Sequence, residues 1–388
     1  MNKLTKKRCV MRSYTYTPAD GRTEQYVDRK RFLWLLSVVY PLFPVYAVLL
    51  HSWLGAEWLL LTPILLTYGL GPLVDWWWGE DLSNPPEQTV PELEADRYYR
   101  ILTWLTVPLH VAALIISAVY AATAGLSLFG LLALAVVAGM AAGLAVNTAH
   151  EMGHKRDAID QWLSRIALAV PFYGHFTVEH NFGHHRQVAT PEDCASARMG
   201  ESVYRFAWRE MPGGIRRAWR IEKQRLARRG LGPWHVRNTI LQSHLIAVVL
   251  QGSLVLALGW PILVFLLIHN LVAWFQLTTA NYVEHYGLLR KKDADGHYER
   301  CQPYHSWNSN HVFSNLLLFH LERHSDHHAN PARRYQSLRH FDDVPRLPSG
   351  YFGMFVLAWL PPLWFRLMDR RLLDLPHIDG DLGRVNLG

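Results

Sequence analysis

Charge is what this sequence has least of. Asp, Glu, Lys and Arg make up 18% of its 388 residues, against roughly a quarter in an average soluble domain. Its three cysteines, Cys9, Cys194 and Cys301, lie far apart. That spacing excludes a disulfide framework, a CxxC pair and a Cys-ligated zinc or iron–sulfur site. There is no Lys-rich tail, and 39 Lys and Arg barely exceed 32 Asp and Glu, so composition does not suggest nucleic acid as a partner. No strand-borne GxGxxG offers a flavin or nicotinamide site.

The charges are absent in blocks. Glu57 is the only one from Phe32 to Val74, and there is none from Ile101 to His150 or from Asn238 to Val283. A bilayer span needs about 20 apolar residues, so each block is two spans and a tight turn. The expected fold is all-α: six transmembrane helices in three hairpins, with a cytoplasmic helical cap holding a di-metal site. The expected spans are about 32–54, 58–74, 101–121, 126–147, 239–258 and 261–281. Residues 1–31 read as a cytoplasmic tail and 32–388 as one membrane domain, its cap drawn from 75–100, 148–238 and 282–388. Nine Lys and Arg in residues 1–31 and none in the turns put the long segments and both termini in the cytoplasm. The N-terminus precedes an uncleaved span rather than forming a signal peptide. The stretches 166–176 and 351–365 are too short or too broken to span. Residues 216–229 read as a basic helix at the membrane surface or as a docking face.

Twenty-one histidines stand out. Nine fall in four groups: His150 and His154 in HEMGH, His180, His184 and His185 in HNFGHH, His285 in NYVEHYGL, and His324, His327 and His328 in HSDHH. Helical i, i+4 spacing lets two rings converge on one metal. His150 and His285 sit where spans end, and the other groups lie in cap segments, so all four can meet on one plane. Nine imidazoles are too many for one zinc and suit two metals. Imidazole alone does not choose among Zn, Cu, Fe and Ni. HEMGH also matches the zinc-protease HExxH, but that reading leaves seven histidines unexplained. A metal transporter would need ionisable residues within the spans, which the uncharged blocks lack.

These motifs resemble those of the membrane-bound, histidine-rich di-iron desaturases and hydroxylases. Their HxxxH, HxxxHH and HxxHH groups match His150/His154, His180/His184/His185 and His324/His327/His328. NTAHEMGHK (147–155), EHNFGHHRQVATPEDCASARMGES (179–202), NYVEHYGL (281–288) and the run from HSWNSNH to RRYQSLR (305–339) look most like the alkane 1-monooxygenase branch. The resemblance implies two irons held by the nine histidines, with no catalytic residue beyond the ligands. It implies hydroxylation of the terminal carbon of medium-chain n-alkanes with O2, in a bacterial inner membrane. A related fatty acyl desaturase, or an aromatic or acyl hydroxylase, is the alternative. Electrons would come from rubredoxin and its reductase, since the chain has neither a CxxC pair for a rubredoxin centre nor a strand-borne GxGxxG for flavin or nicotinamide.

Cleaving an unactivated C–H bond is beyond any side-chain acid or base and needs redox metal chemistry, which zinc lacks. An alkane offers no polar handle, so an apolar cavity fed from the lipid must recognise it. Ligating histidines usually give their second N–H to a carboxylate or carbonyl. Glu151, Glu179, Glu284 and Asp326, each beside a ligand, are expected in that role or, for one of them, as a direct ligand. Asn281, Asn308 and Asn310 are expected in the same hydrogen-bonded layer. Arg216, Arg217, Arg220 and Lys223 are one candidate surface for an acidic electron carrier. Cys194 has no evident role.

Overall fold

The computed structural model describes residues 12–18 and 20–388; the first eleven residues of the expected tail, Cys9 among them, lie outside the described residues. Among the described residues six helices are long and apolar enough to cross a membrane: α1 (Leu35–Leu54), α2 (Glu57–Trp78), α3 (Arg97–Thr123), α4 (Leu128–Gly153), α7 (Thr239–Leu258) and α8 (Pro261–His285). They pair as three hairpins with tight turns. Between α4 and α7 run α5 (Ala158–Ala169), a helical segment over 176–187 and the long α6 (Val203–Ala227). After α8 come α9 (His324–Ala329), α10 (Tyr351–Ala358) and α11 (Pro361–Leu373). The last two meet at a bend of 118°, where Pro361 and Pro362 cannot continue a helix.

The residues explain this layout. Helix α4 is Ala- and Gly-rich and the most buried of the six, because small side chains let helices close on one another in lipid. A Cβ at Gly139 would stand 2.5 Å from the His269 carbonyl oxygen, and one at Gly143 would stand 2.7 Å from Gln276 Cβ. These two glycines seat α4 directly on α8. Inside the bundle Gln251 and Asn270 exchange amide hydrogen bonds at 2.9 Å and 3.0 Å, as buried amides must. Glu57, the lone charge of the first block, sits at a turn and accepts from the Ser127 N–H at 2.6 Å. Exposed Trp53, Trp58 and Trp260 mark the turn side, and exposed Trp76 and Trp77 the other, as an aromatic belt does.

Residues 12–18 and 20–31 of the expected tail pack against the rest of the chain. They hold a short antiparallel hairpin, β1 (Ser13–Tyr16) with β2 (Glu24–Val27), and Tyr14 is buried with Trp34, Tyr99 and Tyr335. Arg31 pairs with Asp96 at 2.6 Å and Lys30 with Asp81 at 2.7 Å. These basic residues fasten the segment to the cap.

Candidate metal centre

Helices α4 and α8 run on past their apolar stretches, so His150, near the end of α4, and His285, the last residue of α8, project into the cap. The cap brings the remaining seven histidines to them. All nine fall into two sets whose ring nitrogens lie within 4.8 Å of one another: His150, His154, His180, His185 and His327, and His184, His285, His324 and His328.

Local geometry produces this division. Residues 180–184 form a π-helical turn, in which i and i+5 rather than i and i+4 come together. His180 and His185 therefore converge, Nε2 to Nε2 at 2.9 Å, while His184 turns to the other set. In α9 the i, i+4 pair His324 and His328 converge at 2.9 Å. His327, a third of a turn round, instead meets His150 at 2.8 Å and His185 at 3.1 Å. His285 approaches His324 at 3.1 Å.

A metal fits these sets. The Nε2 atoms of His154 and His184 are buried without a hydrogen-bond partner. A neutral imidazole has one donor and one acceptor, so five nitrogens facing one point cannot satisfy each other without a cation. Burial holds His154, His180 and His185, and likewise His324, His327 and His328, well below the ordinary imidazole value. At neutral pH these rings are uncharged donors, as metal ligation requires.

The surrounding groups only partly match the sequence expectation. Of the four flagged acids Glu284 alone reaches a ring of either set, its Oε2 lying 3.4 Å from His324 Nε2; its other oxygen accepts from the Tyr351 hydroxyl at 3.0 Å. Glu151 pairs with Lys155 at 3.1 Å. Asp326 accepts from Asn330 at 2.7 Å and from the Arg339 N–H at 2.9 Å. Glu179 is ion-paired with Arg217. Asn281 donates to Glu210 at 3.3 Å, Asn308 accepts from the Ser325 N–H at 2.9 Å, and Asn310 approaches His340 at 3.2 Å. Arg216, Arg220 and Lys223 are exposed on α6. Arg217 departs from the docking expectation: its side chain is only 13% exposed and is held inward by Glu179 and Asp193.

Sequence reasoning missed Asp193. Its Oδ2 lies 2.8 Å from His184 Nδ1, the carboxylate–histidine pairing that fixes a ligand's tautomer. Burial alone would lower the His184 value, but Asp193 and Glu179 outweigh it and raise it. Burial would raise Asp193, but His184 and Arg217 hold it below the usual carboxylate range. Asp193 stands nine residues after His184 in a turn, where no spacing rule reports it. The His305 carbonyl lies 3.2 Å from His285 Nδ1 and serves that ring in the same way.

Between α4, α8 and α10 lies a narrow, mostly apolar cavity that reaches Asn147, three residues before His150, and Ala280, five before His285. Leu144 and Asn147 of α4, Gln276 and Ala280 of α8, and Tyr351 and Phe355 of α10 line it. Tyr68 donates to Gln276 Oε1 at 2.5 Å across its wall.

Comparison with known proteins agrees with this geometry. The family model described as fatty acid desaturase matches residues 125–358. Alkane 1-monooxygenase 1 of Alcanivorax borkumensis is 54% identical over 371 residues, covering 95% of this chain and 91% of that protein. Alkane 1-monooxygenase of Pseudomonas putida is 52% identical over 368 residues, covering 94% and 90%, and that of Acinetobacter baylyi is 39% identical over 376 residues, covering 95% and 90%. The chain is a multi-pass membrane oxidoreductase with metal-binding histidine clusters, and it belongs to the fatty acid desaturase family and, within it, to the alkane 1-monooxygenases.

Proposed function

We propose that the two histidine sets hold two iron ions, five rings on one and four on the other, and that the chain hydroxylates the terminal carbon of medium-chain n-alkanes. The observation that carries this reading is two all-imidazole sets at the end of a bundle of apolar helices whose α4 and α8 also line an apolar cavity. Bound iron supplies the activation of O2 and the cleavage of the C–H bond. The net reaction takes alkane, O2, two electrons and two protons to alkanol and water. The protein's part is to hold, exclude and admit. Leu144, Phe355 and their neighbours keep water from the substrate and align the chain by shape alone. The cavity volume is about 50 Å³, too tight for a medium-chain alkane. Entry therefore requires lining side chains to move, Tyr68 and Gln276, bonded across the wall, among them.

Electrons come from rubredoxin, reduced by its reductase and docked on the exposed Arg216, Arg220 and Lys223. The face carrying the histidines is cytoplasmic and the membrane is the bacterial inner membrane, supported by the nine Lys and Arg of residues 1–31 and the lack of Lys and Arg in the short turns.

Metal content of detergent-purified protein is the deciding test, followed by product analysis with n-alkanes and acyl substrates side by side. The expected result is two irons per chain and 1-alkanols. One tightly held zinc per chain, or turnover of acyl substrates alone, would refute the proposal. Tyr68→Ala should shift the product range toward longer alkanols, measured by gas chromatography.

A further inference from the structure

Arg217 faces the wrong way for a surface arginine. It lies on the basic helix α6, yet its fork closes on two buried carboxylates. Nη2 donates to Asp193 Oδ1 at 2.6 Å, Nε donates to Glu179 Oε1 at 2.8 Å, and Nη1 reaches Gln187 Oε1 at 3.0 Å. The other oxygen of Asp193 accepts from Ser196 Oγ at 2.7 Å and meets His184 Nδ1. A continuous line of hydrogen bonds thus runs from α6 through Arg217 and Asp193 to one ring of the four-histidine set.

Gly183, within HNFGHH, makes room for this line. A Cβ there would stand 2.7 Å from Arg217 Nε, 3.2 Å from its Cζ and 3.2 Å from Glu179 Oε1. Its backbone is helical, so close approach rather than a left-handed conformation calls for glycine. Arginine suits the place because its planar fork serves two carboxylates at once, whereas lysine is a single point charge. Without the guanidinium, two buried like charges would face each other, and Asp193 would be free to swing away from His184.

We propose that Arg217, seated against Gly183, is a positioning residue for the four-histidine set alone. It fixes Asp193 so that the His184 Nδ1–H donates to the carboxylate and Nε2 turns inward. None of the five rings of the other set bonds to Arg217, Asp193 or Glu179 among the described residues. The proposal rests on the two-metal reading above.

The test uses metal-loaded full-length protein in detergent: wild type, Arg217→Gln, Arg217→Lys, Gly183→Ala and, as a control on the exposed face of the same helix, Arg220→Gln. Metal per chain is measured after dialysis against a graded chelator, with Mössbauer spectra of the iron retained and a thermal melt to verify folding. Arg217→Gln and Gly183→Ala should each lose one metal, at chelator levels roughly 10- to 100-fold lower than wild type, with the surviving iron signal unchanged. Arg217→Lys should fall between, and Arg220→Gln should match wild type. Gly183→Ala leaves every charge in place, so a shared loss traces to the seat of the guanidinium. Should Arg217→Gln not fold, Gly183→Ala and Arg217→Lys decide. Retention of both metals at wild-type chelator levels overturns the proposal, as does loss of both together. A wild type that holds a single metal refutes the two-metal reading instead.

Discussion

The two histidine sets are built differently. The five-ring set is held by the helices themselves: His150 and His154 at the end of α4, His180 and His185 across a π turn, and His327 from α9. No carboxylate hydrogen-bonds to any of its rings among the described residues. The four-ring set has one ring fewer and three outer supports: Asp193 on His184, the His305 carbonyl on His285 and Glu284 beside His324. Ligand number steadies one site and outer partners steady the other. The asymmetry is also electrostatic. The two dications proposed for these sets would repel each other in a low-dielectric interior, and carboxylates gathered at one of them would reduce that repulsion.

Removing a ring from each set is the largest test of this contrast. His328→Ala leaves three nitrogens in the four-ring set, fewer than a closed site needs. That variant should lose one metal per chain and all hydroxylation. His154→Ala leaves four nitrogens in its set, so it should keep close to two metals while activity collapses. Equal metal loss in the two variants, measured by elemental mass spectrometry, would remove the distinction.

Changing one acid near each set comes next. Asp193→Asn should weaken the four-ring site about 10- to 100-fold in metal affinity and leave the five-ring site alone. Glu151→Gln, beside His150, should do the reverse of what its position in the sequence suggests. Glu151 pairs with buried Lys155, which also donates to the Ala332 and Arg333 carbonyls. Its loss should cost about 1–3 kcal/mol of stability with metal affinity unchanged. Chelator titration and thermal melts on the same samples separate the two outcomes.

That pair of acids shows how far the sequence could be read. Rings with short spacings at the ends of uncharged runs were legible because hydropathy places the helix ends and helical period places the rings. Six spans were legible for the same reason. The division into five and four was not, because it depends on a π turn at 180–184 that no residue pattern announces. Adjacency to a ligand proved a poor guide to support: Glu151, Glu179 and Asp326 all turn to cations or backbone. Asp193 comes from a turn folded back across the site. Arg217 was readable in hindsight. The buried stripe of α6 includes Glu210, Gly214 and Ala218, and Arg217 lies seven residues after Glu210 and three after Gly214, on that same face.

Acid separates the sets less sharply. Burial depresses His154, His180, His185 and His327 in the five-ring set and His324 and His328 in the four-ring set. The unfolded chain protonates its histidines near the ordinary value of 6.5, and the folded chain refuses those protons. Stability of the metal-free protein should therefore fall as pH drops below about 6.5. His184 runs the other way. Its raised value gives stability that is present at low pH and lost as pH rises. Asp193→Asn removes that opposing contribution, so melts of the metal-free variant between pH 7 and pH 5 should fall more steeply than those of wild type. Parallel curves would mean that Asp193 does not act through His184.

The smallest expected effect concerns which set the electron carrier approaches. Arg217 ties α6 to the four-ring set, so a carrier on the outer face of α6 would sit on that side. Arg186, exposed beside His185, marks the five-ring side. Reversing Arg216, Arg220 and Lys223 to Glu should raise the KM for an acidic carrier several-fold and flatten its salt dependence, because rim charges act mainly on encounter. At saturating carrier the kcat should hold, since none of the three touches a ring or the cavity. Arg186→Glu should change carrier KM little. If Arg186→Glu instead gives the larger rise, the carrier docks over the five-ring set. That outcome would place the carrier away from the line of hydrogen bonds that runs from α6 through Arg217 and Asp193 to His184.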